Sequence, residues 1–224
     1  MSDAQLMRQL DMLPPDALRR DKASVSIVGC GGIGSSVGLF LAKMGIPRFH
    51  LYDADIIQEH NISNQMFPRD SINRKKVEVI AEEMGRMSPS SRTVITPHDE
   101  RCTLSTNFGT NIVVSCLDSM ESRKDVWKAV RNSYCDLYID ARMGAEVAKV
   151  YTVKPMLSYD DYEGSLKQSN HTIACTAQAI AYNVAMIASI VGSNVRRFLT
   201  EMPVPRLVIG DSLNLQFIKL NGEC

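Results

Sequence analysis

The sequence is poor in the features that announce a metal centre, a membrane or a polyanionic partner. Its six cysteines, at 30, 102, 116, 135, 175 and 224, are scattered, and no two form a C-x-x-C pair. That spacing argues against a zinc ribbon and against a disulfide framework, so no zinc is expected and most of the thiols should be reduced and buried. Charge of one sign is missing in excess: 25 Lys and Arg balance 25 Asp and Glu. The bulk charge therefore points to neither nucleic acid nor a membrane surface, and any polyanion binding must be local. Long apolar runs are absent as well. The longest, around Ile173 to Val191, is interrupted by Thr176, Gln178 and Asn183, and the opening MSDAQLMRQLDML lacks the basic-then-apolar layout of a signal peptide. A cytoplasmic protein is expected. No internal repeat or low-complexity segment is present.

What is present is a chain of 224 residues that is 45% hydrophobic, enough for one well-buried core. The Pro14-Pro15 pair separates a short amphipathic helix, with Leu6, Leu10 and Leu13 inward, from the body, so residues 1–22 are expected to form an arm and 23–224 a single domain. Within the body a β-branched run from Val25 to Val28 leads into glycines at 29, 31, 32 and 34, followed by Val37, Leu41 and Met44 at helical spacing. Strand, tight turn and helix in that order bring backbone N–H groups and a helix dipole to a phosphate. The pattern alone fits NAD, FAD, S-adenosylmethionine and ATP binders equally.

Further strands are expected at Arg48 to Asp53, Arg92 to Thr96, Asn111 to Cys116 and Leu137 to Ala141, alternating with helices at Asn73 to Met87 and Glu121 to Ser133. The alternation predicts an α/β, Rossmann-like, largely parallel sheet covered on both faces. Beyond it the style changes. Glu146 to Val153 reads as a strand after a turn at Gly144, Ser158 to Asn170 as a polar acidic loop, and Thr172 to Leu199 as mostly helix. Strands at Arg206 to Ile209 and Asn214 to Leu220, with Gly210-Asp211 as the turn between them, give an antiparallel C-terminal part and a sheet of about eight strands.

Three features narrow the chemistry. Asp53 ends the second strand twenty-four residues past Gly29, where a carboxylate reaches ribose hydroxyls. The polar loop ADIIQEHNISNQMFPRD that follows is too long to be only a connector. Asp118 follows the apolar NIVVSC strand, at the sheet edge where ligands bind in this architecture.

The ordered series D-x-D at 53–55, H-N-x-x-N-Q at 60–65, Lys76 and CLDSMESR at 116–123, in one register from about Arg8 to Leu199, resembles the ThiF/MoeB superfamily of ubiquitin-activating-enzyme-like adenylyltransferases. The resemblance implies ATP rather than NAD in the glycine loop, with Mg²⁺, and adenylation of a carboxylate. The acceptor it implies is the C-terminal glycine of a ubiquitin-like or sulfur-carrier protein. A small-molecule, peptide or tRNA-borne carboxylate is the alternative, as is a nucleotide-binding scaffold partner with reduced turnover. Nucleic acid is expected only as a tRNA substrate. By resemblance Gly31 and Gly32 are phosphate-loop glycines, flanked by Gly29 and Gly34. Asp53 is the ribose ligand, Asp55 the second Asp of D-x-D, and Asn61 and Gln65 the Asn and Gln of the family's N-L-x-R-Q. Lys76 neutralises phosphate, its ammonium expected to be free at the start of its helix, and Asp118 holds Mg²⁺. Arg8, in Arg8-Gln9, matches an Arg that reaches the neighbouring subunit's ATP, which implies a homodimer. Cys175, with His171 one turn earlier, lies near the place of a thioester-forming nucleophile in some relatives, and a small buried residue of that helix is the other reading.

One departure stands out. The family commonly has Arg before the Gln, and this chain has Asn64. Arg69, Arg74 or Lys75 are the candidates to replace its charge.

Overall fold

The computed structural model describes residues 3–19, 21–157, 160–167 and 180–223. Eight strands form one sheet in the order β3-β2-β1-β4-β5-β6-β7-β8. β1 (Ser24–Val28), β2 (Arg48–Tyr52), β3 (Val94–His98), β4 (Ile112–Ser115) and β5 (Leu137–Gly144) pair in parallel. β6 (Val147–Val153), β7 (Pro205–Asp211) and β8 (Gln216–Glu223) extend the sheet antiparallel. The Rossmann-like sheet of about eight strands with an antiparallel end is thus present as expected. β3 lies at one edge, where Pro97 costs no ladder hydrogen bond.

Parallel strands need crossovers, and these supply the two outer layers. α2 (Gly32–Lys43), α3 (Lys76–Met87) and α6 (Ala181–Leu199) cover one face, while α4 (Met120–Arg131) and α5 (Asp160–Lys167) belong to the other. Successive residues of a strand therefore join opposite cores. Ile112 and Val114 of β4 pack with α2 and α6, and Val113 packs with Trp127 and Tyr138 on the other side. A strand buried on both sides must be apolar throughout, which is why the central strands lack polar alternation.

The first residues form a single turn of helix, α1 (Asp3–Leu6), continued by a 3₁₀ turn at Met7–Gln9. Leu6 and Leu13 are buried in the main core, Leu10 packs against it, and Arg196 on α6 donates to the Met12 carbonyl at 2.9 Å.

Several boundaries differ from the sequence expectation for identifiable reasons. Asn73 has φ 71°, a left-handed conformation that no helix interior accepts, so α3 begins three residues later at Lys76. Gly144 pairs with Val147 inside the sheet, and the turn falls on Ala145 and Glu146. Gly210 and Asp211 are likewise paired strand residues, opposite Phe217 and Gln216, and residues 212–215 make the turn. The expected acidic loop at 158–170 contains α5. Its Tyr162 and Leu166 are buried in the second core while Asp161 and Lys167 are exposed, an amphipathic spacing outweighed by the local acidity. Of the helix expected from Thr172, residues 181–199 are α6; residues 172–179 lie outside the described part, as do His171 and Cys175. Among the described residues no helix is long and apolar enough to cross a membrane.

Candidate nucleotide site

The strand order reverses between β1 and β4, and the carboxyl ends of those two strands open a crevice. On the β1 side the glycine loop turns sharply into α2. Gly29 has φ +87°, and a Cβ there would stand 2.9 Å from the Cys116 carbonyl oxygen of the next strand. A Cβ on Gly34 would come to 1.8 Å from the Gly29 carbonyl oxygen, so only glycine lets the helix begin this close to the strand. Gly31 caps α2 with no side-chain hydrogen bond, and a Cβ on it would meet nothing within 4 Å. A twelve-residue helix thus begins beside open space at Gly31, and the N–H groups of a first helical turn are the usual receivers of a phosphate.

Asp53, just past β2, is tied to this loop. Its Oδ2 accepts from the Cys30 N–H at 2.7 Å and its Oδ1 from the Asp55 N–H at 2.8 Å. Burial pushes its carboxyl above the ordinary range, outweighing those two hydrogen bonds and the charge of Lys76. Lys76 opens α3 and is itself buried, with 7% of its surface exposed. Its ammonium is not free at the helix start: Nζ donates to Asp55 Oδ2 at 2.9 Å, and its backbone N–H donates to the Asp55 carbonyl at 3.1 Å. A buried ammonium needs a counter-charge, and the second Asp of D-x-D supplies it. The bridge between Ile56 and Lys75 closes the loop at the same point.

The loop after β2 folds back over the glycine turn. The Asn64 carbonyl oxygen lies 3.1 Å from where a Gly32 Cβ would stand, and the Met66 N–H donates to Ser35 Oγ at 3.1 Å. Asn61 is buried, and its side chain accepts from the Gln58 N–H at 2.9 Å, fixing the 3₁₀ turn Glu59–Asn61. The Gln65 side-chain oxygen is buried with no hydrogen-bond partner among the described residues. Of the proposed substitutes for the missing Arg at 64, Arg74 pairs with Glu82 at 2.5 Å and Lys75 with Asp99 at 2.9 Å. Arg69 is exposed.

Across the crevice Asp118 follows β4 and is exposed, and among the described residues its carboxylate makes no hydrogen bond or ion pair. No group of three or more metal-ligating side chains exists among the described residues. A single open carboxylate suits Mg²⁺, which takes one or two protein carboxylates and keeps phosphate and water for the rest. The open glycine cradle suits a nucleotide phosphate in the same way.

Arg8 is exposed on the 3₁₀ turn, while neighbouring Gln9 Nε2 donates to the Lys43 carbonyl at 3.1 Å. Among the described thiols, burial raises Cys30 well above its usual value and pushes Cys102, Cys116 and Cys135 up to about 12. Reading the sequence missed Asp140, Arg142 and Tyr162, which form a polar cluster under the second core; a carboxylate and a guanidinium inside the apolar LYIDARMG run were the available signal.

The ThiF family pattern matches residues 5–222. Ubiquitin-like modifier-activating enzyme 5 of Drosophila mojavensis is 32% identical over 120 residues, 46% of this chain and 29% of that protein. Adenylyltransferase and sulfurtransferase UBA4 of Yarrowia lipolytica is 32% identical over 98 residues, 42% of this chain and 24% of that protein. The chain thus spans about 30% of the length of the curated relatives it matches. In fold it is similar to E. coli MccB crystallised with ATP, with a TM-score of 0.77 at 21% identity over 98% of this chain and 72% of that one. PaaA is similar too, with a TM-score of 0.78 at 16% identity over 99% and 74%. With the family pattern running through nearly every element described above, this chain belongs to the ThiF family.

Proposed function

We propose that this protein is an ATP-dependent adenylyltransferase that activates the C-terminal carboxylate of a ubiquitin-like or sulfur-carrier protein. The observation that carries the reading is the convergence of the glycine cradle, Asp53, Lys76 and Asp118 on one crevice in a chain of this family. In the proposed reaction an oxygen of the acceptor carboxylate bonds to the α-phosphorus of ATP. The bond from that phosphorus to the bridging oxygen breaks, and pyrophosphate leaves with the electron pair. Asp53 would orient the ribose, and the N–H groups at the head of α2 would receive phosphate. Lys76, held by Asp55, would oppose the charge that grows on the departing group. Mg²⁺ would be held by Asp118 and would neutralise phosphate charge.

Two finer points belong to the same proposal. The protein acts as a homodimer in which the exposed Arg8 reaches the partner's nucleotide. Cys175 is the candidate to take the acyl group afterwards, because it lies near the place of a thioester-forming nucleophile in some relatives, while burial disfavours the thiolate form of the four described thiols. Brief alkylation of the native protein at pH 8 should leave Cys30, Cys102, Cys116 and Cys135 unlabelled, as peptide mass mapping would show. A second reading, adenylation of a peptide carboxylate, is favoured by the fold likeness to the microcin C7 biosynthetic enzyme MccB in complex with N-formylated MccA.

Calorimetry with ATP·Mg²⁺ and NAD, followed by ATP–pyrophosphate exchange with candidate acceptors, tests the proposal. ATP should bind more tightly, and exchange should require the acceptor's free carboxylate. Tighter binding of NAD would overturn it.

A further inference from the structure

The carboxylate of Asp118 makes no described contact of its own, yet the backbone beneath it is held from two directions. Cys116, two residues earlier, abuts the glycine loop: its N–H donates to the Val28 carbonyl at 2.8 Å, and its carbonyl lies against Gly29. Leu117 is held from the other side by Arg123. Arg123 is 3% exposed, and its Nη2 donates to the Leu117 carbonyl while Nη1 donates to Asp140 and, at 3.3 Å, to the Ala141 carbonyl.

A buried guanidinium is costly unless its donors are met, so this one exists only with its partners in place. Asp140 has no exposed surface and accepts from Arg142 Nε at 2.8 Å and from the Tyr162 hydroxyl at 3.1 Å as well as from Arg123. Arg142 Nη2 in turn donates to Ser165 Oγ at 3.0 Å on α5. The guanidinium thus links the turn carrying Asp118 to β5 and α5. Ser119 caps α4 from the same turn, accepting the Ser122 N–H at 3.2 Å, while the Arg123 N–H donates to the Ser119 carbonyl at 3.1 Å.

We propose that Arg123 is a positioning residue: through the Leu117 carbonyl it fixes the Asp118 carboxylate at the height of the glycine loop, and so sets the affinity of the site for metal-bound nucleotide. The inference rests on the nucleotide-binding reading above. It explains why Asp118 needs no hydrogen bond to its own carboxylate. The backbone on either side of Leu117 is anchored, and both oxygens stay open for a cation.

The substitution Arg123→Met keeps a long apolar stem and removes both donors, and Asp140 retains Arg142 and Tyr162, so the buried charge stays paired. Arg123→Gln keeps one polar donor on a shorter side chain. Calorimetric titration of each variant with ATP, in Mg²⁺ and in EDTA, separates positioning from general loosening. Outer partners of metal ligands typically contribute roughly 10- to 100-fold in metal affinity. ATP·Mg²⁺ binding by Arg123→Met should fall at least about tenfold with little change in EDTA; Arg123→Gln should fall less. Added to Asp118→Asn, Arg123→Met should cause no further loss, because both changes remove the same interaction.

Equal losses with and without Mg²⁺, or additive losses in the double variant, overturn the inference. If Arg123→Met does not fold, Arg123→Leu, which also removes both donors, carries the same comparison, and parental ATP·Mg²⁺ affinity in a folded donor-free variant overturns it as well. Failure of the parent protein itself to bind ATP is a different result, and it removes the nucleotide reading.

Discussion

The two walls of the crevice are built differently. On the β1–β2 wall each charged group is already engaged: Asp53 holds two backbone N–H groups, and Lys76 holds Asp55. On the β4 wall Asp118 stands exposed with its carboxylate open, among the described residues. An assembled wall costs little reorganisation when its ligand arrives or when charge develops on it. An open carboxylate suits a cation that arrives already bound to phosphate. The difference teaches that a site can be preorganised for one half of its ligand and completed by the other.

The largest effect should come from breaking the assembled wall at its backbone. Gly34→Ala forces the Gly29 carbonyl, 1.8 Å from the new Cβ, to move with the strand–helix turn. Nucleotide binding should become undetectable by calorimetry, with a lowered thermal midpoint. Parental affinity would mean that the turn is more plastic than its contacts imply.

The next test sets the walls against each other. Lys76→Met should weaken ATP binding by roughly 10- to 100-fold both in Mg²⁺ and in EDTA, since a charge-assisted contact to phosphate is worth about 1.5–3 kcal/mol with or without metal. Asp118→Asn should lower affinity only when Mg²⁺ is present. If Lys76→Met is silent in EDTA, Lys76 serves Asp55 and not the nucleotide.

The smallest effect is a pH slope. The Asp53 carboxyl titrates above its unfolded value, so the native state binds that proton more tightly than the unfolded chain. The linked stability is fully present below the unfolded value and is lost as pH rises through the folded one. Asp53→Asn removes this slope. The thermal midpoint of the variant relative to the parent, measured without nucleotide, should therefore rise from pH 4 to pH 6.5. A difference independent of pH would show that Asp53 is not perturbed.

Much of the parallel half was legible because its elements are local and strongly patterned. The glycine turn, the apolar NIVVSC strand and the helical spacing of Val77, Ile80 and Met84 each carry their own signal. α5 was not legible. Its acidic residues look like a solvated loop, and only the burial of Tyr162 and Leu166 against Trp127 and Tyr138 makes the helix worth forming. The C-terminal turn was misplaced for a related reason. Gly210-Asp211 carries turn chemistry, but pairing across β7 and β8 decides register, and it holds both residues in the ladder.

By itself the sequence determined the order of strands and helices, the glycine positions that let a helix begin close against a strand, and the family to which the chain belongs. Those properties live in neighbouring residues, where spacing and steric freedom suffice. Only the tertiary structure decided that Lys76 is held by Asp55 twenty-one residues away, and that Arg123 reaches both Leu117 and Asp140. The pairing of buried charges depends on which groups burial leaves without water, and that is settled only when the layers close.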